Sequence, residues 1–148
     1  MAVQTLTSTV FDNVLKQVHT GNVTVAGSFS RGATTNTVGD VIFLAKIPHG
    51  ARIVDMIVDH TCAATALGIE YGLASGAATG GGASLSCFSA ALAKATIARL
   101  AVLGSQNLRV SVSDSDPNRY GIFSAQLSTG TTTESYAINF SITYRNDE

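Results

Sequence analysis

The 148-residue sequence is poor in charged side chains, which make up 13% of it, about half of the ~25% usual in soluble domains. A lone soluble domain normally carries Lys, Arg, Asp and Glu over its surface. Neutral polar and small residues must therefore cover much of this one. Such a surface loses few hydrated ions when a partner docks. We predict extensive contacts between subunits; the alternative is a chain that uses neutral residues only for solubility.

Several other features are missing. Lys and Arg number nine, form no run and leave a net charge of −1, so no basic cluster is present to displace counterions from nucleic acid. The segment Met1–Val10 lacks the basic and apolar stretches of a secretory signal. The apolar window Leu85–Leu103 contains Lys94 and Arg99, which makes it a poor membrane span. We therefore expect neither nucleic-acid nor membrane binding.

Residues that carry reaction chemistry are few and scattered. Cys62 and Cys87 have no metal-binding or redox spacing, which favours free, buried thiols. His19, His49 and His60 have no metal-ligand spacing and no accompanying nucleophile or orienting carboxylate. We predict that the protein is not an enzyme and has no catalytic, cofactor-binding or metal-binding residues.

Two acidic groups are weaker candidates for a site. Asp55, Asp59 and Glu70 could share one sheet face, where we interpret them as solvated side chains rather than an acid–base pair. The segment Asp114–Asn118 has the alternating oxygen ligands that open a calcium loop, but Arg119 stands where that loop needs glycine. We interpret it as a turn.

What the sequence does contain is alternation of large apolar residues with small or polar ones, which is typical of half-buried strands. In Tyr136–Tyr144 every even-numbered residue is large and apolar. The pattern predicts six or seven strands in a mainly β, antiparallel β-sandwich that is jelly-roll-like. The other predicted strands are Val23–Phe29, Val41–Ile47, Arg52–His60 (with Val54, Met56 and Val58 facing the core), Leu67–Leu73, Leu108–Val112 and Tyr120–Leu127.

Two segments have helical spacing instead. Apolar residues recur from Phe88 to Leu103 within an Ala-rich run that Gly104 follows, which predicts one short helix. Residues 1–22 are predicted to form an N-terminal arm or short helix, with residues 23–148 as a single β-sandwich domain. This N-terminal segment carries an apolar stripe, which is either a contact surface for another subunit or packs onto its own domain. The stripe consists of Phe11, Val14, Leu15 and Val18.

The block Gly39–Asp55, reading GDVIFLAKIPHGARIVD, resembles a pattern in small virion proteins of tailed phages, in particular capsid decoration (cement) proteins. In that pattern an apolar strand runs into a Pro-x-Gly turn and a second strand carries Asp. The resemblance implies a structural role in the virion, and our first hypothesis is a β-sandwich on the capsid surface that binds and stabilises the assembled head. It also implies the major capsid protein and further copies of the chain as partners, with a trimer favoured. The resemblance does not extend to residues 1–38, so the N-terminal stripe is a candidate subunit or capsid contact only because it is apolar.

Two alternatives stay open. One is a head-fibre or tail-associated virion protein built on the same sandwich. The other is a cellular ligand-binding β-sandwich, although a lectin-like site usually needs aromatic platforms and the sequence has no Trp.

Overall fold

The computed structural model describes residues 4–12, 21–62, 68–75, 77–78, 89–92, 95–99, 110–111, 120–129, 133 and 135–146. These residues form strands, turns and extended segments and contain no helix. In chain order the strands are β1 (Thr5–Thr7), β2 (Asn22–Arg31), β3 (Val41–Pro48), β4 (Ala51–Cys62), β5 (Gly68–Ser75), β6 (Ala77–Ala78), β7 (Ser89–Leu92), β8 (Ala95–Arg99), β9 (Val110–Ser111), β10 (Tyr120–Thr129) and β11 (Tyr136–Asn146).

Nine of these strands form two sheets. Sheet A has the order β1-β3-β10-β5-β7 and sheet B has the order β2-β11-β4-β8, while β6 pairs with β9. The two sheets share one core, since the rings of Phe123 on β10 and Phe140 on β11 lie with centroids 6.1 Å apart. The predicted mainly β fold is thus confirmed. Among the described pairs, β1 with β3 is parallel, which departs from the antiparallel prediction, and the jelly-roll connectivity stays a prediction.

The last strand has the regularity that its sequence indicates. It lies between β2 and β4 in sheet B, and its even-numbered residues from Tyr136 to Tyr144 are all buried, with 0–5% of their surface exposed. Because successive side chains of a strand point to opposite faces, the odd-numbered residues lie on the outer face of sheet B. The buried set is Tyr136, Ile138, Phe140, Ile142 and Tyr144.

The turn Pro48-His49-Gly50 connects the two sheets. It follows β3 of sheet A and precedes β4 of sheet B, so the flanking strands do not pair with each other. Gly50 has a φ of 81°, a conformation that glycine adopts at little cost because it lacks a Cβ. Its N–H donates to the Val110 carbonyl at 2.7 Å. The predicted turn is confirmed, and its tightness brings the chain from one layer to the other.

The prediction that Val54 faces the core is wrong. Val54 is 40% exposed, whereas Met56 and Val58 are buried as predicted. The pairing of β11 with β4 shifts at this point, because Thr143 lies opposite Asp55 while the next residue lies opposite Ile53. Val54 is therefore the extra residue of a β-bulge, and Ile53 occupies the core position in its place.

The predicted helix from Phe88 to Leu103 is wrong over the residues that the structure describes. Residues 89–92 form β7, which pairs with β5, and residues 95–99 form β8, which pairs with β4. The helix propensity of alanine is a weak preference. The open edges of β4 and β5 offer partners for the backbone N–H and C=O groups of this run, and those partners satisfy them as strands.

Asp55 and Asp59 lie on the same face of β4 in sheet B, as expected, but the expectation that Glu70 shares this face is wrong, because Glu70 lies on β5 of sheet A. The strand predicted around Leu108–Val112 is described only at β9. Other predictions fall on residues that lie outside the described ranges. These are His19, Leu67, Cys87, Leu100, Leu103, Gly104 and the segment 114–118.

Candidate functional surfaces

The two histidines that the structure describes lie in different environments. His49 lies exposed in the turn between the sheets, whereas His60 is fully buried. Among the described residues no group of three His, Cys, Asp or Glu side chains is placed to hold a metal ion. The same part of the chain contains no helix of the length and apolarity needed to cross a membrane.

His60 joins the two sheets. Its Nδ1 atom lies 2.9 Å from the hydroxyl oxygen of Tyr71, so a hydrogen bond connects β4 of sheet B to β5 of sheet A. The Tyr71 ring stacks against His60 and Phe123, with centroid distances of 6.0 and 6.3 Å. Sequence reasoning missed this role. The sequence did contain a clue, because His60 continues the alternation of Met56 and Val58, which places it on the buried face of β4.

Burial raises the pKa of Tyr71, and the negative charge of Asp59 raises it further. Burial also raises the pKa of Tyr144. At Tyr136 burial again raises the pKa and outweighs the opposing effect of the positive charge of Arg31. In the folded protein all three phenols therefore stay neutral at pH values above about 10, near which an ordinary tyrosine ionises.

This burial predicts loss of stability in alkali. Above about pH 10 the unfolded chain releases these phenolic protons while the folded chain keeps them. The stability is therefore fully present below pH 10 and falls above it, by up to about 1.4 kcal/mol per pH unit for each such tyrosine. Urea unfolding at a series of pH values from 8 to 11, monitored by circular dichroism, measures the slope. Tyr71→Phe should flatten it; an equal slope in both proteins would contradict the assignment.

The N-terminal segment closes one side of the sandwich. Strand β1 pairs with β3 of sheet A, and the Ser8 N–H and hydroxyl donate to the carbonyls of Phe43 and Leu44 at 2.9 and 2.6 Å. The next residue reaches the other sheet, because the Thr9 N–H donates to the carbonyl of Ser28 on β2 at 2.9 Å. Two consecutive residues thus bridge the edges of sheets A and B.

Side chains of the same segment pack onto the domain. A Cβ built on Gly27 would lie 2.5 Å from Val10 Cγ2, so the missing side chain of Gly27 makes room for Val10. Phe11 is buried against Phe43, with ring centroids 5.3 Å apart, and the Lys46 ammonium lies 4.9 Å from the Phe11 centroid. Phe11 therefore packs on its own chain, which was the alternative to a contact role.

The structure does not describe the other residues of the predicted N-terminal contact stripe. Val14, Leu15 and Val18 lie outside the described residues. Their role in subunit or capsid contact stays a prediction.

A buried ion pair locks the N-terminal segment to the end of β2. Arg31 Nη1 donates to Asp40 Oδ2 at 3.0 Å, with side chains that are 11% and 1% exposed. The two carboxylate oxygens of Asp40 also accept the N–H groups of Gln4 and Thr37 at 2.8 and 3.1 Å. Arg31 Nη2 donates to the Gln4 side-chain oxygen at 2.9 Å. One carboxylate therefore fixes the N-terminal segment, the loop after β2 and β2 itself.

The outer face of sheet B is nearly free of charge over β2 and β11. Its outward side chains there are small and mostly hydroxylic, and Thr24 and Thr143 share a hydrogen bond of 2.9 Å between their hydroxyl oxygens. The half-buried Ile57 of β4 lies opposite Ser141 at the border of this surface, between Asp55 and Asp59, which lie opposite Thr143 and Asn139. We call this surface the neutral face. It consists of Thr24, Ala26, Ser28, Ser30, Ala137, Asn139, Ser141 and Thr143, together with Ile57.

Two solved structures share this fold. A chain from the capsid of Ralstonia phage GP4 has a TM-score of 0.61 and 14% sequence identity, over 97% of this chain and 99% of that chain. A chain from the cyanophage Pam1 capsid asymmetric unit has a TM-score of 0.55 and 13% identity, over 90% of this chain and 93% of that chain. No protein-family model and no curated protein matches the sequence. At these identities the likeness shows a common fold.

Proposed function

We propose that this chain is a structural protein of a phage virion, and in particular a decoration (cement) protein on the capsid surface. The observation that carries the proposal is the extent of the shared fold, which covers 97% of this chain and 99% of a chain from the capsid of phage GP4. Nearly the whole polypeptide is thus accounted for by a fold that a phage capsid contains. The resemblance of Gly39–Asp55 to decoration proteins supports the same role.

The neutral face supports binding to a protein lattice. When a partner binds this face, few charged groups lose their water, so the desolvation cost that offsets the binding free energy is small. A subunit that binds only the assembled head stabilises that head by its binding free energy, through mass action. Its partners in this role are the major capsid protein and further copies of itself, with the trimer favoured by the resemblance to decoration proteins.

Co-sedimentation with purified heads that lack the protein tests the proposal. The unmodified chain should sediment with the heads in a fixed ratio and raise the temperature at which they release their contents. Ser141→Arg places a charge at the centre of the neutral face and should weaken binding by tenfold or more, since about 1.4 kcal/mol suffices for that change. Ala74→Arg, at an exposed position of sheet A, is the matched control and should bind normally.

The outcomes separate two ideas. An unmodified chain that stays in the supernatant at every concentration would contradict the proposed function. Equal binding by Ser141→Arg and Ala74→Arg would reject the neutral face as the contact while leaving head binding in place.

A further inference from the structure

Strand β2, one of the two edge strands of sheet B, is long, and its backbone is covered by the N-terminal segment only at Ser28 among the described contacts. Strand β2 has ten residues and pairs within the described chain only with β11. Natural proteins block such edges with Lys, Pro, a bulge or a covering segment, because unpaired N–H and C=O groups recruit other strands. Residues 22–30 contain no charged residue and no Pro, and their pairing with β11 has no register shift.

The direction of the backbone groups along β2 follows from Ser28. Its carbonyl accepts the Thr9 N–H at 2.9 Å and its N–H donates to the Thr9 hydroxyl at 3.1 Å, so both groups point away from β11. In an antiparallel ladder every second residue points the same way. Asn22, Thr24 and Ala26 therefore direct their N–H and C=O groups outward, and within the described part of the chain these groups meet no partner.

We propose that this exposed part of β2 pairs with the same strand of a second copy of the chain, antiparallel, about a two-fold axis at Thr24. In that register Thr24 lies opposite Thr24 of the other copy, and Asn22 lies opposite Ala26. Each of these pairs joins residues whose backbone groups face the edge, so each forms two hydrogen bonds. The register is self-complementary, as a two-fold contact requires.

The side chains of β2 also favour pairing with a second copy of the same strand. With no charge in residues 22–30, the pairing places no like charges opposite each other, and threonine pairs across strands are favourable. The contact joins the two copies of sheet B into one continuous sheet and makes the two neutral faces adjacent. It refines the assembly on which the proposed function rests. It uses one edge only, so a three-fold contact elsewhere on the chain would let β2 join neighbouring trimers.

Cross-linking of single cysteines tests the register. In a chain with Cys62→Ala and Cys87→Ala, Thr24→Cys should give a covalent dimer with a short bismaleimide, because the facing Cα atoms lie about 5.5 Å apart. Ser30→Cys is the matched control on the same exposed side of the same strand. In the proposed register its two copies lie about 40 Å apart, at ~3.4 Å per residue, so it should stay monomeric on a denaturing gel.

A second variant tests the backbone contact. Ala26→Pro removes an outward N–H and leaves the ladder to β11 intact, so the chain should remain folded by circular dichroism. Added to Thr24→Cys it should abolish the dimer, whereas Ala26→Val should keep it. No dimer from Thr24→Cys, or equal dimer from Ser30→Cys, would overturn the pairing. Head co-sedimentation of the same variants keeps the two ideas apart, because a chain that binds heads without the Thr24 cross-link rejects only the β2 contact.

Discussion

Replacing Phe140 with alanine is expected to lower the free energy of unfolding by about 3–5 kcal/mol. Phe140 lies midway along the central strand β11 and is 5% exposed. Its ring meets that of Phe123 edge-on across the two sheets at 6.1 Å. On its other side the ring tip lies 3.0 Å from the position of a Cβ on Gly27, where Val10 also packs. Truncation therefore leaves a cavity that contacts from both sheets and the N-terminal segment hold open.

Urea unfolding measures this loss. Asn139→Ala is the matched control, because Asn139 precedes Phe140 on the same strand but is exposed on the neutral face. It should change the free energy of unfolding by no more than about 0.5 kcal/mol. A denaturation midpoint for Phe140→Ala equal to that of the control would show that the inner face of β11 is assigned incorrectly.

Replacing Asp40 with alanine is expected to cost a similar amount, about 3–5 kcal/mol, because it removes one partner of a buried ion pair. The Arg31 guanidinium would stay in place with an uncompensated charge, and the N–H groups of Gln4 and Thr37 would lose their acceptors. The damage should extend beyond β2. Since the same carboxylate holds Gln4, the N-terminal segment should exchange its amide hydrogens faster in the variant.

Denaturation together with hydrogen exchange checks this second expectation. Asp12→Ala removes an exposed carboxylate from the same N-terminal segment and should leave stability within about 0.5 kcal/mol of the unmodified chain. Asp40→Asn keeps one acceptor oxygen but not the charge, so its loss should lie between the two. If Asp40→Ala were as stable as Asp12→Ala, the ion pair would contribute nothing to the closure of the sandwich.

The burial of Phe140 could be predicted from the sequence, whereas the ion pair of Asp40 could not. The burial of Phe140 follows from a period of two, which is a local property of the strand itself. The partner of Asp40 could not be inferred, because Arg31 ends β2 while Asp40 lies just before β3, and the path of the loop between them decides whether the two side chains meet. The candidate surface is an intermediate case. The scarcity of charge predicts a surface with few charged groups, and only the sheet pairing shows that the outward residues of β2 and β11 form one.

The sequence by itself determined the mainly β fold, the strands with regular alternation and the turn at Gly50, because these depend on neighbours a few residues apart. Tertiary structure decided the rest. It made strands of the Ala-rich run beside β4 and β5, exposed Val54 through a bulge opposite β11, paired His60 with Tyr71 and seated Phe11 on Phe43. Each of these depends on a partner from a separate strand. Backbone hydrogen bonds and core space offered by such a partner outweigh local preferences of a few tenths of a kcal/mol per residue.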